Sequence, residues 1–189
     1  MTEVIEKRLE SLSYYQILAF YVLVIKRQIP NYYSFFQKEN WGNPEILELG
    51  IRLLENIALE RSVLEYDESL IDDISNITPD SEEFDSILAT SAQDVCVMLI
   101  EALESVSSQD TERLTGLTSL AFNSIQMYIE EKHSLDYNQK NHDEFVNNHP
   151  LIKQQTVYFE KLVHDIEVEK NVHPELFQNV EAFHLPTDL

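Results

Sequence analysis

Histidine is the side chain that most often holds a metal or moves a proton near neutral pH. All six histidines of this chain fall in its last third: His133, His142, His149, His164, His173 and His184. None belongs to an H-E-x-x-H motif or to an i, i+4 pair that would put two rings on one helix face. Carboxylate-bridged metal bundles carry Glu-x-x-His pairs on two helices. Glu130 and His133 supply one such pair, but Lys161 precedes His164 where a second would need an acid. Asp94 lies among Ala92, Val95 and Cys96, and a carboxylate in apolar surroundings needs a hydrogen-bonding or cationic partner. Arg27 is the expected partner. A helical metal-dependent enzyme would draw on Asp94, Glu130, His133 and His164. The leading expectation is instead a structural Asp94, a polar histidine-rich surface, and no catalytic residue, metal or cofactor.

Other chemistries lack their motifs. No G-x-G-x-x-G or G-x-x-x-x-G-K-[ST] run is present to cradle a phosphate, and no G-x-S-x-G elbow to present a serine. Cys96 is the one cysteine, so no internal disulfide forms, which fits a reducing compartment. Flanked by Val95 and Val97 in mid-helix, it reads as an inert core filler. The acids from Asp67 to Glu83 lack the glycine turn and spacing of a calcium-binding loop.

Acid is the outstanding property. The net charge is −21, which opposes binding to nucleic acid or to an anionic membrane. The charge is also uneven. Between Arg61 and Arg113 no Lys or Arg occurs in 51 residues, which hold 14 Asp or Glu. A coat serving solubility alone would interleave the two signs, since like charges close together repel. A one-sign block predicts an electrostatic face for a basic protein partner, although solvated charge runs without a partner are common. The candidate contacts are Glu65, Asp67, Glu68, Asp72, Asp73, Glu82, Glu83 and Asp85, with Tyr66 and Phe84 as aromatic anchors.

The elements that must position these residues are helices. Three glycines and six prolines in 189 residues argue for long helices with short loops, so the expected fold is all-α, a single bundle of about seven to eight helices. The expected domain is residues 1–189, with a polar loop region at 133–149 and C-terminal helices at 150–189. Residues 13–28 are apolar nearly all round and predict the central helix, ended by Pro30-Asn31 and followed by a short aromatic helix. Asn43 and Pro44 cap and open the next helix, and a shorter one spans 68–77. Two antiparallel helices are marked by Leu88 to Val106 and by Leu114 to Tyr128, with Asp110 as N-cap between them. Pro150 opens another helix and His173-Pro174 a last short one. The N-terminus carries no basic-then-apolar leader, and the run Ile17 to Ile25 is short of the ~20 residues of a membrane span. A cytoplasmic location is expected.

Two blocks resemble the YjaG-like family of bacterial proteins of unknown function. The first is Leu9, Leu12, Gln16, Phe20, Arg27, Pro30-Asn31-Tyr32 and Phe35, followed by Gly42. The second is Pro79-Asp80-Ser81-Glu82-Glu83-Phe84-Asp85, then Ala92, Asp94, Cys96 and Leu99. His149-Pro150 resembles the Asn-Pro that begins a late family helix, whereas Lys153 stands at an acidic position of the family and an expected Trp is missing. The similarity runs from Leu9 to Leu162, with its core in residues 1–132. It implies an all-α bacterial cytoplasmic domain without an established activity, in which Arg27, Pro30, Asn31, Tyr32, Phe84 and Asp94 serve the fold. Acidic helical families of this kind include proposed immunity proteins, which neutralise toxins. The expectation is therefore an interaction module of immunity type, with a basic toxin domain such as a nuclease as partner. The alternatives are the metal-dependent enzyme above and a housekeeping homo-oligomer.

Overall fold

A computed structural model of the chain describes residues 2–62, 69–84, 86–169 and 171–186. It contains helices and no strand among the described residues: α1 Thr2–Leu9, α2 Tyr14–Glu39, α3 Pro44–Glu60, α4 Ser69–Asn76, α5 Ile87–Ser108, α6 Thr111–Thr115, α7 Leu120–Lys132, α8 His142–Asn148 and α9 Pro150–Glu169. Two 3-10 turns, Gly116–Ser119 and Pro174–Phe177, complete it. The all-α expectation holds. The region read as a polar loop contains α8, which packs against α7 and α9.

Helix α2 is the axis of the bundle. At its start the Gln16 side chain reaches back, its Oε1 accepting from the Ser13 N–H at 3.1 Å and the Ser13 hydroxyl at 2.7 Å. Every residue from Ile17 to Ile25 is buried, because α3, α5, α6 and α9 surround the helix and leave it no polar face. Each large side chain so buried contributes roughly 1.5–3 kcal/mol. The helix does not end at Pro30; it runs nine residues further, to Glu39. A proline inside a helix costs about 3 kcal/mol and leaves the carbonyl four residues back without its donor. Burial of Tyr32 and Phe35 beyond the proline offsets that cost. Beside the proline, the Phe183 N–H of a distant segment donates to the Arg27 carbonyl at 2.8 Å.

The turn into α3 follows the local signals. Asn43 accepts from the Glu45 N–H at 3.1 Å, and Pro44 takes the first helical position. Tyr32 fastens the turn, since its hydroxyl accepts from the Asn43 N–H at 3.2 Å and donates to the Ile77 carbonyl at 3.0 Å. Gly42 sits at φ +98°, and a Cβ there would lie 2.3 Å from the Tyr32 hydroxyl. Gly42→Ala therefore meets both backbone strain and a clash with a committed side chain. A loss of about 2–4 kcal/mol is expected in a urea titration; an unchanged midpoint would contradict the role given to Tyr32.

The second half departs from the expected uninterrupted helix after Asp110. Asp110 caps as expected, accepting from the Arg113 N–H at 2.9 Å. The chain then passes through α6 and the Gly116–Ser119 turn before α7 begins. Thr115, Thr118 and Ser119 each bond a carbonyl three residues back, which favours the tighter turn. Tyr21 of α2 holds it there through the Thr118 hydroxyl at 2.6 Å and the Thr115 carbonyl at 3.2 Å. At the other end of the chain, Arg8 grips Glu167 with two hydrogen bonds and ties α1 to α9.

Candidate functional site

Helix α4 turns Leu70 and Ile74 inward, with Ile77 following, and leaves Asp72 and Asp73 exposed. Asp80, Glu82 and Glu83 are exposed on the loop that follows. None of these five carboxylates makes an ion pair among the described residues. Elsewhere several cations are engaged: Arg8 with Glu167, Lys26 with Glu55, and Arg113 with Glu101 and Glu104. Glu65, Tyr66, Asp67, Glu68 and Asp85 lie outside the described residues. Phe84 is not a free anchor. Its ring meets Phe35 edge-on at 5.0 Å and Trp41 at 5.7 Å, so it belongs to the packing beneath the loop.

Phe84 also forms part of a cleft of about 910 Å³ between the end of α2, the start of α5 and the end of α7. Thr90 and Met127 face this cleft, and one helical turn beyond them lie Asp94 on α5 and Asn123 on α7. Asp94 is 5% exposed and accepts from Asn123 Nδ2 at 3.2 and 3.3 Å. The Ser124 backbone adds a further hydrogen bond to it. Burial without a cation raises its carboxyl to about 7, against the lowering effect of those two partners. The expected pairing with Arg27 is therefore wrong. Asp94 and Asn123 lie equally far along the chain on either side of the Ser108-Gln109 turn, and that symmetry of an antiparallel pair was the missed signal.

Arg27 points to the opposite side of α2. It is fully buried, its Nε donating to Gln155 Oε1 at 3.0 Å and its Nη1 to the Glu181 carbonyl at 2.6 Å. The guanidinium lies 3.8 Å from the centre of the Tyr158 ring. Its nearest anion is the outer carboxylate of Glu181, at 3.7 Å. Desolvation accordingly lowers the pKa of Arg27. Asn31, also expected to serve the fold, shares this clamp, which holds the segment after Phe177 as well. Asn31 Oδ1 accepts from the Leu185 N–H at 2.8 Å.

The four residues of the metal-enzyme expectation are not assembled. His133 packs edge-on between Phe145 and His149, at 5.0 and 5.7 Å between ring centres. Glu130 Oε1 accepts from Gln126 and lies 3.1 Å from Nε2 of the buried His142, off the line of a good hydrogen bond. His164 is exposed on α9. Burial and the neighbouring His133 lower the pKa of His149. Among the described residues no three His, Cys, Asp or Glu are placed to hold a metal ion. Cys96 is buried, its thiol pushed up to about 12 by desolvation, which leaves it inert at neutral pH. No described helix is long and apolar enough to cross a membrane.

The family model for proteins of unknown function called DUF416 matches residues 4–186. The chain belongs to the DUF416 family. The resemblance read over Leu9 to Leu162 thus extends through the C-terminal segment. An uncharacterized protein of Haemophilus influenzae is 25% identical over 141 residues, covering 74% of this chain and 72% of that protein. The uncharacterized protein YjaG of Escherichia coli is 29% identical over 108 residues, 57% of this chain and 55% of YjaG. The crystal structure of a DUF416 family protein from Shewanella baltica superposes with a TM-score of 0.84 at 22% identity. That likeness covers 93% of this chain and 90% of the other, and concerns the fold.

Proposed function

We propose that this protein is a non-catalytic interaction module of the cytoplasm, whose acidic face binds a basic protein partner. The observation that carries the reading is the set Asp72, Asp73, Asp80, Glu82 and Glu83. All five are exposed, contiguous along α4 and its following loop, and without a neutralising cation among the described residues. Such a face repels itself and gains most from an oppositely charged surface, which it also steers during encounter. An immunity-type role, with a toxin domain as the partner, is the form of the proposal that best uses so strong a field. A nuclease domain suits it, since its substrate groove must be positive.

The quadruple variant Asp72→Asn, Asp73→Asn, Glu82→Gln, Glu83→Gln tests the face without altering side-chain size. In affinity capture from the source cells, a basic protein retained by the wild type is expected to fall at least tenfold on the variant. Equal recovery of every captured protein on both baits would refute the assignment of the face.

A further inference from the structure

The open cleft between the end of α2, the start of α5 and the end of α7, about 910 Å³, has the size of a small-molecule site. Its walls carry opposite charges. On the α2 side stands Lys38, whose Nζ donates to the Ser86 hydroxyl at 3.1 Å and lies 3.7 Å from the Glu39 carboxylate. On the α7 side stands Glu131, whose carboxylate makes no ion pair or hydrogen bond among the described residues. The Gln37 amide and the Ser81 and Thr90 hydroxyls, also in the lining, are likewise unengaged among the described residues. The remaining lining is apolar and includes Phe84, Leu88 and Met127. Met127 is 40% exposed, while Ile125, Tyr128 and Ile129 beside it on α7 are buried. A flexible thioether on the open side of a cavity adapts its shape to what lies against it.

We infer that this cleft is a binding site for a zwitterion of the amino-acid class, a short apolar peptide with both termini free. The peptide carboxylate meets Lys38 and Ser86, and its ammonium meets Glu131. Its amides bond Gln37 and Thr90, and its side chains lie against Phe84 and Met127. The charges of the lining balance, so a ligand that is neutral as a whole answers both. A simple anion would meet the field of a chain with net charge −21, and a simple cation would leave Lys38 unanswered. A single amino acid would leave most of such a volume open, which favours a peptide of a few residues. The inference does not rest on a partner for the acidic face.

The probe is the tripeptide leucyl-alanyl-leucine, titrated into the full chain labelled with carbon-13 at its methionine methyls. Met127 lines the cleft and Met98 is fully buried in the core, so their signals report site and fold separately. The Met127 signal shifts and saturates while that of Met98 stays in place. The same peptide acetylated at its N-terminus and amidated at its C-terminus binds about tenfold more weakly, because both charge-assisted contacts are lost. Glu131→Gln weakens the free peptide and leaves the N-acetylated one unchanged, and Lys38→Met does the same with the amidated one. An unmoved Met127 signal up to the solubility of the peptide would overturn the inference. So would equal affinity for the free and the doubly blocked peptide.

Discussion

Replacing Asp94 with asparagine makes the protein more stable at pH 8 and leaves it no more stable at pH 4. The carboxyl stands at about 7 in the folded chain against an ordinary value of 3.8, with burial as the main cause. Between those values the unfolded chain has released the proton while the folded chain still holds it. Stability contributed by this group is therefore intact below about pH 4, falls as pH rises to about 7, and is level above that. A three-unit shift corresponds to about 4 kcal/mol in all. The substituted amide avoids the charge but offers one oxygen in place of two to Asn123 and Ser124, so the expected gain at pH 8 is about 1–3 kcal/mol. Chemical denaturation of both proteins from pH 4 to 8 measures it, because titrations elsewhere cancel in the difference. Parallel curves would show that Asp94 does not titrate in this window.

Arg27→Ala destabilises the protein by about 3 kcal/mol, through lost packing and lost hydrogen bonds together. The side chain fills space against Tyr158 and Phe183, and its removal strands Oε1 of the buried Gln155 and takes a donor from the Glu181 carbonyl. Arg27→Met fills much of the same volume and is expected to cost about half as much. Arg27→Lys does not restore the wild type, since an ammonium cannot stack on Tyr158 while donating in two directions. Denaturant titration gives the energies, and limited proteolysis gives the mechanism. Cleavage within residues 177–186 should accelerate in the Ala variant before any other site is cut. Proteolysis that begins in α3 or α5 instead would contradict the clamp.

The parts of this fold that were legible in the sequence are those governed by local chemistry. Asn43 and Asp110 cap their helices where the residue types predict, and the apolar run from Ile17 to Ile25 does form the buried axis. Cys96 is core for the reason its neighbours suggest. Pro30 misleads because its local cost is set against burial of Tyr32 and Phe35, which depends on elements distant in the chain. The Asp94 partner was misjudged for a related reason. A carboxylate among apolar residues suggests a cation, but amide and backbone donors on α7 suffice when the acid stays protonated at pH values below its raised pKa. Nothing local in Val180 to Pro186 signals that this segment is held on α2, because its partners Arg27 and Asn31 lie about 150 residues earlier in the chain. The acidic block was legible as charge, and the structure adds that Asp72, Asp73, Asp80, Glu82 and Glu83 point to solvent.

What that face is for can be tested most directly by an association rate. The basic partner retained by the wild type and lost by the four-site variant is mixed with each protein at 50 and 500 mM salt. Screening at the higher salt confines charge interactions to a few ångströms. For the wild type, the association rate constant should fall at least tenfold across that range while dissociation changes little, and the variant should start low and respond weakly. Equal association rates at both salts, or a variant as fast as the wild type, would contradict an electrostatic role for the acidic face.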